Sequence, residues 1–209
     1  MPAIAADTRR LRSIKKKRFP WYVVESLLFE NGYQAVVLHR VASFFKRHGI
    51  PVLGPLTARL SLFLTGVDIA PGARIGPGLM ISHGTGIVVG EATRIGAGAL
   101  IMHQVTLGAS TVSRIGQMPT VGDNVILGAG AKVIGDVTIG DNVLVGVNAV
   151  VTEDVPGDCR VIAGGGVVVR PSVPSGAAVA AEANTVEAAE RNAGAPDGSE
   201  PAPEVSRAS

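Results

Sequence analysis

Residues 121–151 read VGDNVILGAGAKVIGDVTIGDNVLVGVNAVV, with an aliphatic side chain at every sixth position: Val121, Leu127, Val133, Ile139, Val145 and Val151. A flat side made of about five extended residues and a bend has this period, and three such sides close a triangular coil. The aliphatic residue points inward and stacks on its counterparts in the coils above and below, while glycine permits the bend. Gly122-Asp123-Asn124 and Gly140-Asp141-Asn142 supply residue types that tolerate the unusual dihedrals of corners.

The same pattern extends upstream. Val89, Ile95, Ile101 and Leu107 keep the period, and before a two-residue shift so do Ile69, Ile75, Ile81 and Ile87. Four positions after most of these stands a small or β-branched residue: Ala73, Thr85, Ala99, Val105, Val125, Ala131, Val137, Val143, Ala149 and Val155. Together they specify a mainly β chain whose central part, residues 67–174, forms a left-handed parallel β-helix, a hand that departs from the usual right-handed crossover. The repeat breaks once. Leu107 to Val121 is a step of fourteen residues, read as two repeats plus two, and Gly108 to Thr120 leaves the coil as a loop. A loop whose ends are held by a rigid scaffold is a natural place for a ligand site.

The flanks differ in character. Within residues 1–66, Arg9, Arg10, Arg12, Lys15, Lys16, Lys17 and Arg18 crowd seven cations into ten positions, followed by apolar residues at helical spacing from Leu27 to Phe45 and from Leu56 to Leu64. This predicts a short helical region that caps the solenoid behind a solvated basic tail. A sharper reading lets residues 9–18 touch an anionic membrane face or an acidic glycan. Residues 175–209 contain no aromatic side chain and are rich in Ala, Glu, Pro, Gly and Ser, a composition that predicts disorder.

Composition narrows the function classes. The net charge of +2 gives no reason to expect nucleic acid as a partner, and no apolar run reaches membrane-spanning length. One cysteine, Cys159, excludes an internal disulfide and fits a reducing compartment. It has no histidine near it in sequence and is read as structural rather than as an acyl-carrying nucleophile. His83 and His103 each follow an inward aliphatic by two positions, near a corner from which they can reach the outer surface. An imidazole changes charge close to neutral pH and can take a proton from a hydroxyl. Asp68, fifteen residues before His83 and slightly less than one coil away, is a candidate to fix its tautomer.

Four stretches resemble the serine acetyltransferases: Val67-Asp68-Ile69-Ala70-Pro71-Gly72-Ala73, His83-Gly84-Thr85-Gly86-Ile87-Val88-Val89-Gly90-Glu91, Val105-Thr106-Leu107-Gly108 and Leu127-Gly128-Ala129-Gly130-Ala131-Lys132. The likeness runs from about Gly32 to Pro174, and its most specific part is the stretch that begins at His83. It implies a cytoplasmic hexapeptide-repeat enzyme that acetylates the L-serine hydroxyl with acetyl-CoA, uses no metal and is built as a homotrimer with sites between protomers. It makes His83 the general base and Asp68 its orienting carboxylate. Gly108, Ala109, Gly128 and Ala129 would line the pantetheine path, Lys132 would meet a CoA phosphate, and Ser82 and His103 would face the acceptor. Two positions depart from the family's pattern: Ser82 stands where an aspartate is usual, and Gln117-Met118-Pro119 where an Arg-His-Pro run is usual. A related branch, the acetyltransferases of exopolysaccharide gene sets, has a similarly short helical lead and a histidine at the position of His103; it acetylates sugar hydroxyls and would suit work at the inner face of the membrane. A non-catalytic trimeric scaffold needs neither Asp68 nor His83. A β-helical carbonic anhydrase needs three zinc-binding histidines, and only two lie in the repeats.

Overall fold

The computed structural model describes residues 2–15, 21–111, 113, 116–163 and 167–171, all within one compact unit, Met1–Pro174. The expected disorder of residues 175–209 lies outside these residues, as do Lys16, Lys17 and Arg18 of the basic segment.

Three parallel sheets wrap around a common interior as a β-helix. The first holds β1 (Val67–Ile69), β4 (Ile87–Val89), β7 (Thr106–Gly108), β10 (Lys132–Ile134) and β13 (Val150–Val151). A second holds β2 (Arg74–Ile75), β5 (Arg94–Ile95), β8 (Thr120–Val121) and β11 (Thr138–Ile139). The third holds β3 (Met80–Ile81), β6 (Leu100–Ile101), β9 (Ile126–Leu127), β12 (Leu144–Val145) and β14 (Cys159–Ala163), and closes with the antiparallel β15 (Val167–Pro171). Of the fourteen aliphatics in the six-residue pattern, all but Ile75 are buried, and Ile75 packs against the same core. Nine of the ten companion residues are buried with them; Thr85 is exposed because it sits in an enlarged corner. Polar ladders stack the corners between the second and third sheets, with Asn124 Nδ2 donating to Asn142 Oδ1 at 3.3 Å and Asn142 Nδ2 to Asp158 Oδ1 at 3.0 Å.

Strand register corrects the length of the insertion. Leu107 lies in the first sheet and Val121 in the second, so the fourteen-residue step spans one side of the triangle and not two. One side needs six residues, as from Val89 to Ile95, and the excess is therefore eight residues rather than two. A period of six looks the same on every side, so only the hydrogen-bonded ladder tells which side the pattern resumes on.

Four helices precede the coils: α1 (Pro2–Lys15), α2 (Trp21–Phe29), α3 (Asn31–Arg47) and α4 (Leu53–Thr65). They cover the open edge of the first coil, whose unpaired backbone groups would otherwise be a template for aggregation. Helix α1 corrects the reading of residues 9–18 as a solvated tail in part: Arg9 and Arg12 are exposed, but Arg10 is tied to the coil edge. Its buried Asp7 accepts from the backbone N–H groups of Gly78 at 2.7 Å and Leu79 at 2.9 Å, and Arg40 of α3 pairs with the same carboxylate. Arg40 also donates to the Ile75 and Gly76 carbonyls at 2.6 Å each, and Arg10 to the carbonyls of Gly78 and Ala99. A buried ion pair is tolerable when hydrogen bonds satisfy the remaining polar atoms, and here the coil edge supplies them. Burial lowers the Arg10 pKa, partly offset by the nearby Asp7 carboxylate.

Candidate active site

The first coil is longer than the others. Val67 pairs with Ile87, twenty residues on, whereas Val88 pairs with Thr106, eighteen on. The two extra residues fall in the corner between β3 and β4, Ser82 to Gly86, and produce the register shift seen in the sequence. Corners on this edge share one left-handed position, held by Gly86, Gln104, Gly130 and Asn148 in successive coils. His83 is an additional left-handed residue, with φ of +53°, created by the enlargement. A non-glycine residue there is uncommon and strained, and such strain clusters at functional sites.

His83 is exposed, and its ring stands 6.3 Å from the ring of His103, centroid to centroid, at 83°. His103 is half-buried, and its Nδ1 is buried without a hydrogen-bond partner. An orphaned buried polar atom asks for an explanation, and a ligand is one. The corner is braced from below: a Cβ at Gly84 would come within 2.9 Å of Val67 Cγ2 and 3.6 Å of the Gly32 Cα in α3. Sequence reasoning missed Gly32, because its need comes from a helix and a coil far apart in sequence.

Asp68 lies on the outward face of the first sheet, half-buried, in one row with Val88, Thr106, Lys132 and Val150. It is next to Val67, against which the His83 corner packs, but no hydrogen bond joins Asp68 to His83 among the described residues. Lys132 is three strands along the same row, about 14 Å away at the usual strand spacing. It is exposed and donates to the Gly130 carbonyl at 2.8 Å. Ala129 occupies the corner after His103, where the Gly130 N–H donates to the His103 carbonyl, and Gly128 is buried beside it. His83, His103, Gly128 and Ala129 thus share one edge of the coil, and Asp68 and Lys132 the adjoining face. Gly108 and Ala109 stand apart, at the far edge of that sheet where the insertion departs. Ser82 follows β3 and opens the corner, half-buried, its N–H donating to the Ile101 carbonyl at 2.9 Å.

At the other end of the insertion, Met118 is half-buried, its thioether against Gly90, where a Cβ would meet Sδ and Cε at 2.7 Å. Among the described residues no three His, Cys, Asp or Glu side chains gather closely enough to hold a metal ion. A cleft of about 970 Å³ lies elsewhere, between α3 and the second sheet, lined by His39, Arg40, Arg47, Arg74 and Arg94, and contains neither His83 nor Asp68.

Residues 118–153 match the family model of bacterial transferase hexapeptide, six repeats. A serine acetyltransferase of Synechococcus elongatus is 49% identical over 63 residues, 30% of this chain and 26% of that protein. One from Helicobacter pylori is 42% identical over 62 residues, 30% of this chain and 36% of the relative. The matched part is therefore about a quarter to a third of the length of these curated relatives. Among solved structures the likeness is longer. The serine acetyltransferase of Neisseria gonorrhoeae is 32% identical with a TM-score of 0.74, covering 85% of this chain and 69% of that one. The Brucella abortus enzyme in complex with coenzyme A is 29% identical with a TM-score of 0.73, covering 82% and 68%.

Proposed function

This chain belongs to the serine acetyltransferase family of hexapeptide-repeat transferases, and from that premise we propose that it transfers the acetyl group of acetyl-CoA to the hydroxyl of L-serine. The products are O-acetylserine and CoA, a step that feeds cysteine synthesis in the cytoplasm. The observation that carries this reading is the strained His83 in its enlarged corner, facing His103, beside the strand that bears Asp68.

In this mechanism His83 takes the proton of the acceptor hydroxyl as its oxygen attacks the thioester carbonyl. Asp68 orients the imidazole and stabilises its charged form, an interaction that tightens only once substrate is bound. The C–S bond then breaks, and His83 returns the proton to the departing thiolate, so that proton and charge balance over the cycle. No covalent enzyme intermediate is formed, and rate comes from holding both substrates in line. Ala129, Gly128 and the exposed Lys132 give the pantetheine arm and a phosphate a path along the coil, with Gly108 and Ala109 at its far side. Ser82 and the orphaned Nδ1 of His103 face the acceptor. The β-helix of residues 67–174 is the acyltransferase part, residues 1–66 its helical lead, and the working form a homotrimer.

A second acceptor, a sugar hydroxyl, is favoured by one feature. At the two positions where the family's pattern has an aspartate and an Arg-His-Pro run, this chain has Ser82 and Gln117-Met118-Pro119, with Met118 packed on Gly90. A neutral polyol needs no ion pair.

The test is release of free thiol from acetyl-CoA with L-serine and, separately, with nucleotide sugars and glycans. Release with serine alone supports the first acceptor, and release with a sugar alone supports the second. CoA binding with no release for any acceptor refutes the catalytic reading.

A further inference from the structure

The cleft between α3 and the second sheet gathers positive charge that the fold does not neutralise. Five Arg and Lys side chains line it: Arg40, Lys46, Arg47, Arg74 and Arg94. Two of them have carboxylates of their own, Asp7 on Arg40 and Glu91 on Lys46. Arg47, Arg74 and Arg94 take part in no hydrogen bond or ion pair among the described residues. Asp123, at the corner beyond Gly96, accepts from the Ala97 N–H at 2.6 Å. Arg74 and Arg94 are partners on the adjacent strands β2 and β5, about 4.8 Å apart at the usual strand spacing. Like charges opposite each other on one face of a sheet repel. The row continues with Thr120 and Thr138, which bring no charge to offset them.

A second observation comes from the buried side of the same cleft. His39 lines it, 3% exposed, and its Nδ1 has no hydrogen-bond partner. The Ser43 hydroxyl donates its proton to the Pro71 carbonyl at 2.9 Å, so at His39 Nε2, 3.3 Å away, it accepts. Burial and the charges of Arg40 and Arg47 lower the His39 pKa and keep the ring neutral. Its one proton therefore sits on Nε2, and Nδ1 is an acceptor without a donor. A buried acceptor of this kind asks for a partner, and a ligand hydroxyl is one. The other walls are small or apolar, Pro71, Ala73 and Ile75 among them, and about 970 Å³ is the volume of a small-molecule site. All these groups belong to one chain, so the unpaired charge and the orphaned acceptor are features of the protomer itself.

We propose that this cleft binds a small phosphorylated alcohol, its phosphate on Arg47, Arg74 and Arg94 and its hydroxyl toward His39. Guanidinium forks match phosphate oxygens two at a time, and a phosphoryl group has three such oxygens to share among three arginines. Inorganic phosphate would answer the charge but leave most of the volume unfilled and Nδ1 unpaired. The site is separate from the acetyl-CoA path past Lys132 on the first sheet. The inference is independent of the acceptor and of the reaction catalysed.

Titration calorimetry on the assembled full chain tests it, with glycerol 3-phosphate, inorganic phosphate and glycerol compared at matched ionic strength. The expected result is one glycerol 3-phosphate per chain, bound more tightly than inorganic phosphate, and no heat from glycerol. Arg94→Gln should weaken binding about tenfold, and the double variant Arg74→Gln, Arg94→Gln about a hundredfold, since each change removes a hydrogen bond between charged groups. Both side chains are exposed in the protomer, and thermal melting checks that the variants fold. Lys132→Gln should leave binding unchanged. Silence with glycerol 3-phosphate at millimolar concentration overturns the proposal, as does binding that the double variant retains. Binding that Lys132→Gln removes would put the phosphate on the acetyl-CoA path and overturn it equally. Equal affinity for inorganic phosphate would strike out the hydroxyl at His39. Light scattering covers the case in which neighbours neutralise the arginines: a parent that binds no phosphate, with a homotrimer that Arg74→Gln takes apart, assigns them to a contact between copies and refutes the site.

Discussion

Gly32→Ala is the substitution that most directly couples the helical lead to the catalytic corner. Gly32 lies in the first turn of α3, and a Cβ there would stand 3.0 Å from the Ile81 carbonyl carbon and 3.2 Å from its Cβ, with the carbonyl oxygen closer still. Ile81 precedes Ser82 and His83. Backbone cannot swing aside as a side chain can, so either the helix or the corner must move by about 1 Å to restore ordinary contact. The helix is held further along by Arg40 on the Ile75 and Gly76 carbonyls and by Ser43 on the Pro71 carbonyl, which puts much of the displacement on the corner. Overpacking of this kind costs about 1–3 kcal/mol, against a gain of up to about 1 kcal/mol from helix propensity. The expected net is a loss of about 1 kcal/mol, about 3 °C in melting temperature for a domain of this size. Turnover should fall far more, about a hundredfold, because a 1 Å misplacement of a reacting group has that effect. Thermal melting alongside thiol release measures both. A variant that melts higher than the parent and turns over normally would refute the close contact and the link from α3 to His83.

Three further predictions follow from single features. His83→Ala should lower turnover by about a hundredfold or more with the fold intact, and it brings no gain in melting temperature because alanine keeps the Cβ that crowds a left-handed position; near-normal turnover removes His83 from the mechanism. Ile139→Asp places a carboxylate in the fully buried column between Val121 and Val155 and should prevent cooperative folding, and a parent-like melting curve would mean the side chain does not point inward. His39 is buried on α3 with its Nδ1 unpartnered, and burial, with the charges of Arg40 and Arg47, lowers its pKa to about 3. The unfolded chain therefore binds a proton near pH 6.5 that the folded one refuses: the stability is complete above that pH and is lost as pH falls toward 3. At pH 5 the loss is about 2 kcal/mol. Urea denaturation at pH 7.5 and pH 5 should show it in the parent and not in His39→Gln, and equal pH slopes would contradict it.

The solenoid was legible because its core obeys one local rule. Each coil repeats the same side, and a side reveals itself by its buried aliphatic without reference to anything distant, so Ile69 to Val151 could be read as a column. The phase of the insertion was not legible for the same reason, since identical sides carry no mark of which one they are. The helical lead was legible only as apolar spacing. Its first helix was hidden because the residues that hold it, Asp7 and Arg10, are charged, and charge near a chain end reads as solvation. What keeps Asp7 buried is a set of backbone donors at Gly78 and Leu79 and a guanidinium at Arg40, and these come together only after the coil has formed its first edge.

The candidate site shows the same division at finer scale. The two-residue register shift before Val89 was visible in the sequence, but there it was an irregularity in a count. In the structure the count becomes geometry. Two extra residues in a corner that already uses its one left-handed position must be taken up by a second such position, and His83 takes it. A glycine there would relax the backbone and an aspartate or asparagine would tolerate it. A histidine tolerates it too, better than most other residues with a side chain, and Gly84 against Val67 with Gly32 beneath holds its corner in place. That the support is built of glycines, where any side chain would push the corner outward, argues that the position of the His83 ring is what the enlarged coil specifies, and that the strain is tolerated for the sake of the ring.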